Sequence, residues 1–194
     1  MSEFSKLRLA GLAARRRGDR TEAFELFRAA AALDPDHVGT SLEVAAELCE
    51  LGRLDEASVV YHDALQRDPH AMLGWRGLGQ VALRRGKRGE ALEHFIAAAE
   101  LDPDNAWSMI DLATALRELG QLDEAEDVFY EVVAKYPRIP QGFIGLGHVS
   151  RQRGDRATAL EYFRVATTLE PNNAEALSNV ATEQRELSEL KDEK

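Results

Sequence analysis

The side chains best suited to chemistry in this 194-residue chain are arginines that recur at one position. Their spacings are multiples of 34 residues, and they are Arg15, Arg117, Arg151 and Arg185. A guanidinium group binds carboxylates and phosphates through paired hydrogen bonds, so arginines gathered on one surface form an anion-binding site. The spacing predicts such a surface if the fold itself repeats every 34 residues.

The sequence lacks the common patterns of catalytic and metal-binding residues. No two of the histidines lie four residues apart, so a helical zinc pair is excluded. These histidines are His37, His62, His70, His94 and His148. Cys49 is the only cysteine, which excludes an internal disulfide, and no Gly-x-Ser-x-Gly nucleophile turn occurs. We therefore expect no enzyme activity, no cofactor and no metal site within these residues.

One glycine pattern, G-x-G-x-x-A at residues 77–82, matches a dinucleotide-binding fingerprint. That fingerprint requires a preceding strand and a tight turn before its helix. Here Gly79 instead occupies a position that Gly11 and Gly147 share at the same period. The pattern therefore favours glycines that pack inside a helical repeat.

Four kinds of residue mark a period of 34 along the chain. The prolines are Pro35, Pro69, Pro103, Pro137 and Pro171; the glycines are Gly18, Gly52, Gly86, Gly120 and Gly154; the alanines are Ala23, Ala57, Ala91, Ala125 and Ala159; the aromatic residues are Phe27, Tyr61, Phe95, Phe129 and Phe163. In residues 75–103, apolar side chains at helical spacing lead to the glycine, and a second such run leads to the proline. Each unit is therefore predicted to be a helix, a turn and a second helix.

A 34-residue helix–turn–helix with these marks resembles the tetratricopeptide repeat. The resemblance implies an all-α fold, a right-handed α-solenoid that forms a single domain over residues 4–194. It comprises five units, at residues 4–37, 38–71, 72–105, 106–139 and 140–173. Residues 174–194 are predicted to form a polar capping helix, because the last unit of a solenoid must expose its outer face.

The charge and hydropathy of the chain limit its partners. The net charge of −10 argues against nucleic acid as a partner. No apolar run approaches the roughly 20 residues that a membrane-spanning helix requires, so we expect no membrane insertion. No signal peptide is evident, which favours the cytoplasm. Arginine outnumbers lysine 19 to 5, which suggests a bacterial source.

The resemblance implies that first helices line a concave groove, and the repeat register selects the residues that face it. The candidate groove residues are Arg8, Leu12, Arg15, Leu42, Leu73, Arg76, Gln80, Leu83, Trp107, Ile110, Thr114, Arg117, Ile144, His148, Arg151 and Arg185. They combine an apolar floor with a series of arginines. The alternative is that these arginines pair with nearby acids such as Glu50, Glu118 and Glu186.

The function indicated is a non-enzymatic scaffold that binds an acidic and apolar peptide segment of a partner protein. A terminal-carboxylate clamp, which some family members carry, is disfavoured because Glu43 stands at one of its positions. Two alternatives stay open. The chain self-assembles into a homo-oligomer through the apolar residues Phe4, Leu7 and Leu9, or it is the recognition part of a larger enzyme such as a transferase.

Overall fold

The computed structural model describes residues 1–192, with side chains as far as Leu190. This part of the chain contains eleven α-helices and no strand. The helices are α1 (Glu3–Arg17), α2 (Arg20–Leu33), α3 (Val38–Glu50), α4 (Leu54–Arg67), α5 (Met72–Arg84), α6 (Arg88–Leu101), α7 (Ala106–Glu118), α8 (Leu122–Lys135), α9 (Pro140–Gln152), α10 (Arg156–Leu169) and α11 (Ala174–Asp192). They form five helix pairs and a final helix, as the repeat predicts. The last two residues of the predicted capping helix lie outside the described residues.

The turn inside each pair depends on a glycine in the left-handed conformation. The positive φ angles lie between 74° and 84°, and they occur at Gly18, Gly52, Gly86, Gly120 and Gly154. No other described residue has a positive φ. A side chain at such a position would strain the backbone, so glycine ends the first helix at the least cost. The predicted turns are confirmed.

Side chains of the turns cap two of the five second helices, α2 and α10. Asp19 accepts a hydrogen bond from the backbone N–H of Glu22, and Asp155 accepts one from that of Thr158. These caps satisfy backbone donors that have no partner within the helix. The first helix begins with a cap of the same kind at Ser2, so order starts before residue 4.

The core is a row of aromatic rings from the second helices, packed against small residues of the first helices. Phe27, Phe95, Phe129 and Phe163 are at most 1% exposed. A Cβ atom at Gly79 would come within 3.0 Å of the Phe95 ring, closer than side chains pack. Gly79 is therefore a packing residue inside α5, which confirms that the G-x-G-x-x-A pattern is not a nucleotide loop.

The chain divides into two compact units, one at Met1–Asp102 and one that starts at Pro103. The N-terminal unit holds α1–α6, and the C-terminal unit holds α7–α11. Within each unit, two first helices also contact each other: α3 contacts α5, and α7 contacts α9. A single right-handed solenoid over the whole chain stays a prediction.

Candidate functional site

In the N-terminal unit, the first helices α1, α3 and α5 border an open space of about 380 Å³. We call this space the N-terminal groove. Six of the predicted groove residues line it: Arg8, Arg15, Leu42, Leu73, Arg76 and Gln80. Glu43, Ala46 and Tyr61 also line it. Repeat register therefore brings together side chains that are far apart in the sequence.

Two arginines of this groove are bound to glutamates of the next repeat. Arg8 donates two hydrogen bonds to the Glu43 carboxylate, at 2.8 and 2.9 Å, and this pairing raises the pKa of Arg8. Arg15 binds Glu47, which also accepts a contact from Arg20 at 3.3 Å. Glu47 is fully buried, so its charge is compensated only by these guanidinium groups.

Tyr61 lies at the base of the N-terminal groove, although the repeat pattern assigned it to the core. Its side chain is 4% exposed, and burial raises its pKa. Its ring packs under Gly77, where a Cβ atom would overlap it. The other repeats have phenylalanine at this position, so the extra hydroxyl was the signal in the sequence. It adds a hydrogen-bonding group to a side chain that lines the groove.

A smaller space of about 150 Å³ lies in the C-terminal unit, between α7, α9 and the start of α11. We call it the C-terminal pocket. Five predicted residues line it: Ile110, Thr114, Arg117, Ile144 and His148. Gln141, Gly145 and Glu175 complete its lining.

A polar contact closes one side of the C-terminal pocket. The Nε2 atom of His148 lies 3.3 Å from a carboxylate oxygen of Glu175. This hydrogen bond, and then the charges of His148 and Arg117, lower the pKa of Glu175. The carboxylate of Glu175 therefore stays ionised beside Arg117.

Ion pairs form at members of the predicted series of arginines, as the alternative reading of the sequence allowed. Arg151 binds the fully buried Glu183, which also accepts a contact from Arg156 at 2.9 Å. Arg15 and Arg151 are thus paired with acids of the next repeat, which the sequence did not suggest, while Arg117 and Arg185 make long contacts with the neighbouring Glu118 and Glu186. Sequence reasoning missed the first two pairings because they join one repeat to the next.

The predicted apolar floor is corrected in part. Leu42, Ile110 and Ile144 are less than 9% exposed, since each belongs to a buried apolar cluster. Leu73 and Trp107 are the exposed members, at 55% and 46%. Leu73 lines the N-terminal groove, whereas Trp107 lines a separate space beside residues 138–141.

The remaining predicted residues lie outside both spaces. Leu12 lines a small pocket on α1 with Phe4 and Leu9, and Leu83 is half-buried on α5. Arg185 lies on the exposed surface of α11, 3.8 Å from Glu186. These three residues are not part of a common site with the others.

Neither the cysteine nor the potential metal ligands of the described residues form a reactive or metal-binding site. Cys49 is 2% exposed, and burial raises the pKa of its thiol, so the reactive thiolate is disfavoured. Among residues 1–192, no group of three His, Cys, Asp or Glu side chains is placed to hold a metal ion. No helix in the same range has the length and apolar character needed to cross a membrane.

The paired helices and their inter-helix grooves define an α-helical repeat protein. Three family models described as tetratricopeptide repeat match residues 14–80, 71–138 and 110–174. The chain therefore belongs to the tetratricopeptide repeat family, as its sequence predicts. Proteins of this family typically serve as protein-interaction scaffolds, and the fold is generally a non-catalytic interaction module.

Comparison with individual proteins agrees with this family. The chain is 30% identical over 122 residues to "Protein CTR9 homolog" of Arabidopsis thaliana, which covers 61% of the chain and 11% of that protein. The matched stretches span only 5 to 19% of the lengths of its curated relatives.

Two solved structures share the fold at low sequence identity. The thermophilic TPR protein TTC0263 of Thermus thermophilus superposes with a TM-score of 0.83 at 20% identity, covering 93% of this chain and 98% of that one. YrrB, described as a TPR protein with an unusual peptide-binding site, gives 0.65 at 20% identity, covering 91% and 97%. At this identity both comparisons show the fold alone.

Proposed function

We propose that this chain is a scaffold that binds a peptide segment of a partner protein, and that the segment carries acidic and apolar residues. The observation that carries the proposal is the N-terminal groove, where exposed Leu73 lines the same space as Arg15 and Tyr61. The peptide-binding site described for YrrB, which has the same fold, supports this assignment.

The charge of the groove favours an acidic segment. Arg15 and Arg20 share the single carboxylate of Glu47, so this cluster keeps one uncompensated positive charge. Both side chains stay partly exposed, at 29% and 39%. A ligand carboxylate therefore meets a positive potential at the wall of the groove.

The apolar and neutral parts of the groove supply the remaining contacts. Leu73 offers apolar surface that no described neighbour covers fully. The Gln80 amide has both a donor and an acceptor, which suits the backbone of an extended peptide. The Tyr61 hydroxyl can donate to a ligand carbonyl or carboxylate.

Fluorescence anisotropy tests this function with a short labelled peptide of glutamate, leucine and serine. We expect Leu73→Asp to weaken binding about tenfold or more, because it puts a like charge on the apolar part of the groove. Leu33→Asp is the matched control, since Leu33 is equally exposed, at 54%, but lies outside the groove. An equal loss in both variants, or a loss in neither, would contradict the groove assignment.

Salt and charge reversal give a second test with the same peptide. Binding should weaken as ionic strength rises, because exposed charges are screened over about 8–10 Å. A peptide with lysine in place of each glutamate should bind much more weakly to the unchanged protein. If both peptides bind alike, the acidic character of the ligand is wrong.

Self-association is a second candidate function, and one observation favours it. Leu9 is 53% exposed and lines a pocket of about 240 Å³ with Phe4 and Leu12 on α1. An apolar face at the chain start can pack on a second copy. Sedimentation over a wide concentration range tests it, and a strict monomer would remove it.

The remaining proposals concern the cellular location of the chain, its source and whether it is part of a larger protein. We propose a cytoplasmic location and a bacterial source. That the chain forms the recognition part of a larger enzyme is supported by the small fraction of the curated relatives that it spans. The mass of the native protein from its source tests this, since a mass near 21.5 kDa would exclude a larger polypeptide.

A further inference from the structure

The arginine at the twelfth position of a repeat is neutralised by the following repeat in two places. Arg15 binds Glu47 and Arg151 binds Glu183, each across 32 residues. Each glutamate is 0% exposed and binds a second arginine from the second helix of the preceding repeat. This second arginine is Arg20 on α2 for Glu47 and Arg156 on α10 for Glu183. The Cζ atom of Arg15 lies 4.7 Å from the ring centre of Phe27, and that of Arg151 lies 4.9 Å from the ring centre of Phe163. Each arginine therefore stacks on the buried phenylalanine of its own repeat.

Arg117 occupies the same position in the fourth repeat, but the acid is missing. Val149 follows it by the same 32 residues and is fully buried where a glutamate would stand. Within the described chain, the only ionic contact of Arg117 is to Glu118, at 3.9 Å. The side chain is 18% exposed, and desolvation lowers its pKa. The charges of Glu118 and Glu175 act against this shift, but the ion pair with Glu118 is long, so the charge of Arg117 is compensated less closely than that of Arg15.

The surroundings of Arg117 are suited to a carboxylate. The C-terminal pocket has a volume of about 150 Å³, room for one short side chain rather than a helix. Ile110 and Ile144 form its apolar wall, and the Thr114 hydroxyl and the Gln141 amide are neutral donors on its lining. Glu175 is the opposing feature, because its negative charge stands at the same pocket.

We propose that the C-terminal pocket binds an aspartate or glutamate side chain of a partner peptide, with Arg117 taking the carboxylate that Glu47 and Glu183 provide elsewhere in the chain. This inference rests on the proposed function and names the group that the second unit recognises. Thr114 and Gln141 donate to the same carboxylate. Glu175 lowers the affinity and restricts it to ligands that reach Arg117 directly.

The first test supplies the missing carboxylate from within the chain and needs no peptide. Val149→Glu places a carboxylate at the register of Glu47 and Glu183, so we expect it to pair with Arg117. In the double variant that carries both Arg117→Met and Val149→Glu, the same glutamate is buried alone. The Tm of this double variant should therefore lie about 5 °C or more below that of Val149→Glu alone. Val81→Glu is the matched control, because Cys49 stands where its arginine would be. Equal Tm values for Val149→Glu with and without Arg117 would overturn the proposal.

The second test measures binding of the glutamate, leucine and serine peptide by anisotropy. Arg117→Met and Val149→Glu should each weaken binding about tenfold, and Glu175→Gln should strengthen it several-fold. A peptide with glutamine in place of glutamate should be insensitive to all three. Unchanged binding in Arg117→Met would overturn the proposal, and so would tighter binding of a phosphoserine peptide, which would assign the pocket to phosphate.

The two tests separate this proposal from the function on which it rests. If Leu73→Asp abolishes binding and Arg117→Met does not, the groove stands and the pocket assignment is wrong. If the unchanged protein does not bind the peptide, the proposed ligand class fails, and the Tm comparison of Val149→Glu still decides whether Arg117 accepts a carboxylate.

Discussion

The N-terminal groove and the C-terminal pocket are built from the same repeat positions and differ in how their arginines are neutralised. In the N-terminal groove, Arg15 is bound to the buried Glu47. At the C-terminal pocket, the residue 32 positions after Arg117 is Val149, so the matching acid is absent. One residue in the following repeat therefore decides whether the arginine is paired with a buried carboxylate.

The two spaces also differ in size and in their floor. The groove measures about 380 Å³ and has Tyr61 at its base, whereas the pocket measures about 150 Å³. Phe129, the counterpart of Tyr61, packs under Gly145 and carries no hydroxyl. The groove is suited to a length of peptide, and the pocket to a single side chain.

The largest effect should come from removing a buried glutamate. Glu183→Ala leaves Arg151 without its acid and Arg156 with Glu186 alone, and we expect a loss of unfolding free energy near the lower end of about 3–5 kcal/mol, since both arginines are partly exposed. Urea denaturation measures this. Glu189→Ala, on the same helix but 63% exposed, is the control and should cost less than about 0.5 kcal/mol. Similar losses for both would mean that the buried ion pair does not hold α11.

The glycines above the aromatic floor should come next. Gly77→Ala and Gly145→Ala each force a Cβ atom into a ring, Tyr61 or Phe129, so we expect losses of about 1–3 kcal/mol in thermal unfolding. Gly89→Ala has open space around its new Cβ and should not destabilise the protein. If Gly77→Ala is as stable as Gly89→Ala, the ring can move and the floor of the groove is not rigid.

Substituting the two arginines compares the units directly. Arg15→Met leaves Glu47 with Arg20 alone, so we expect a loss of about 1–2 kcal/mol. Arg117→Met removes a poorly compensated buried charge and should leave stability within about 0.5 kcal/mol. Urea midpoints for both variants decide the question. Equal losses would show that Arg117 has a structural role like that of Arg15.

The smallest effect concerns the pH dependence of the C-terminal pocket. The pKa of Glu175 is lowered, chiefly by the hydrogen bond from His148 and then by charge. A group with a lowered folded pKa stabilises the fold above its unfolded value, and this contribution is lost as pH falls through the folded value. The loss should therefore begin near the ordinary glutamate pKa of 4.5 and continue below it.

Carbon-detected NMR titration of the Glu175 carboxyl group measures this shift. His148→Ala should move the pKa back toward 4.5, and Arg117→Met should move it by a smaller amount in the same direction. No change in His148→Ala would show that the contact does not form in solution.

The sequence alone predicted most of the fold, because the marks of the repeat are local. A glycine with positive φ ends each first helix, and a proline follows each second helix, so the residue types report the backbone directly. Register then selected residues that do share a surface, such as Arg8 with Arg76, and Thr114 with His148.

What the tertiary structure alone decided was the partner of each charge. Arg15 and Glu47 are 32 residues apart and meet only when one repeat packs on the next. Packing between helices also buries Leu42 and Ile144, and it places Tyr61 at the groove. A repeating sequence determines which positions face inward because helical geometry is local. Whether an inward arginine is neutralised depends on a residue one repeat away, and only the packed helices bring the two together.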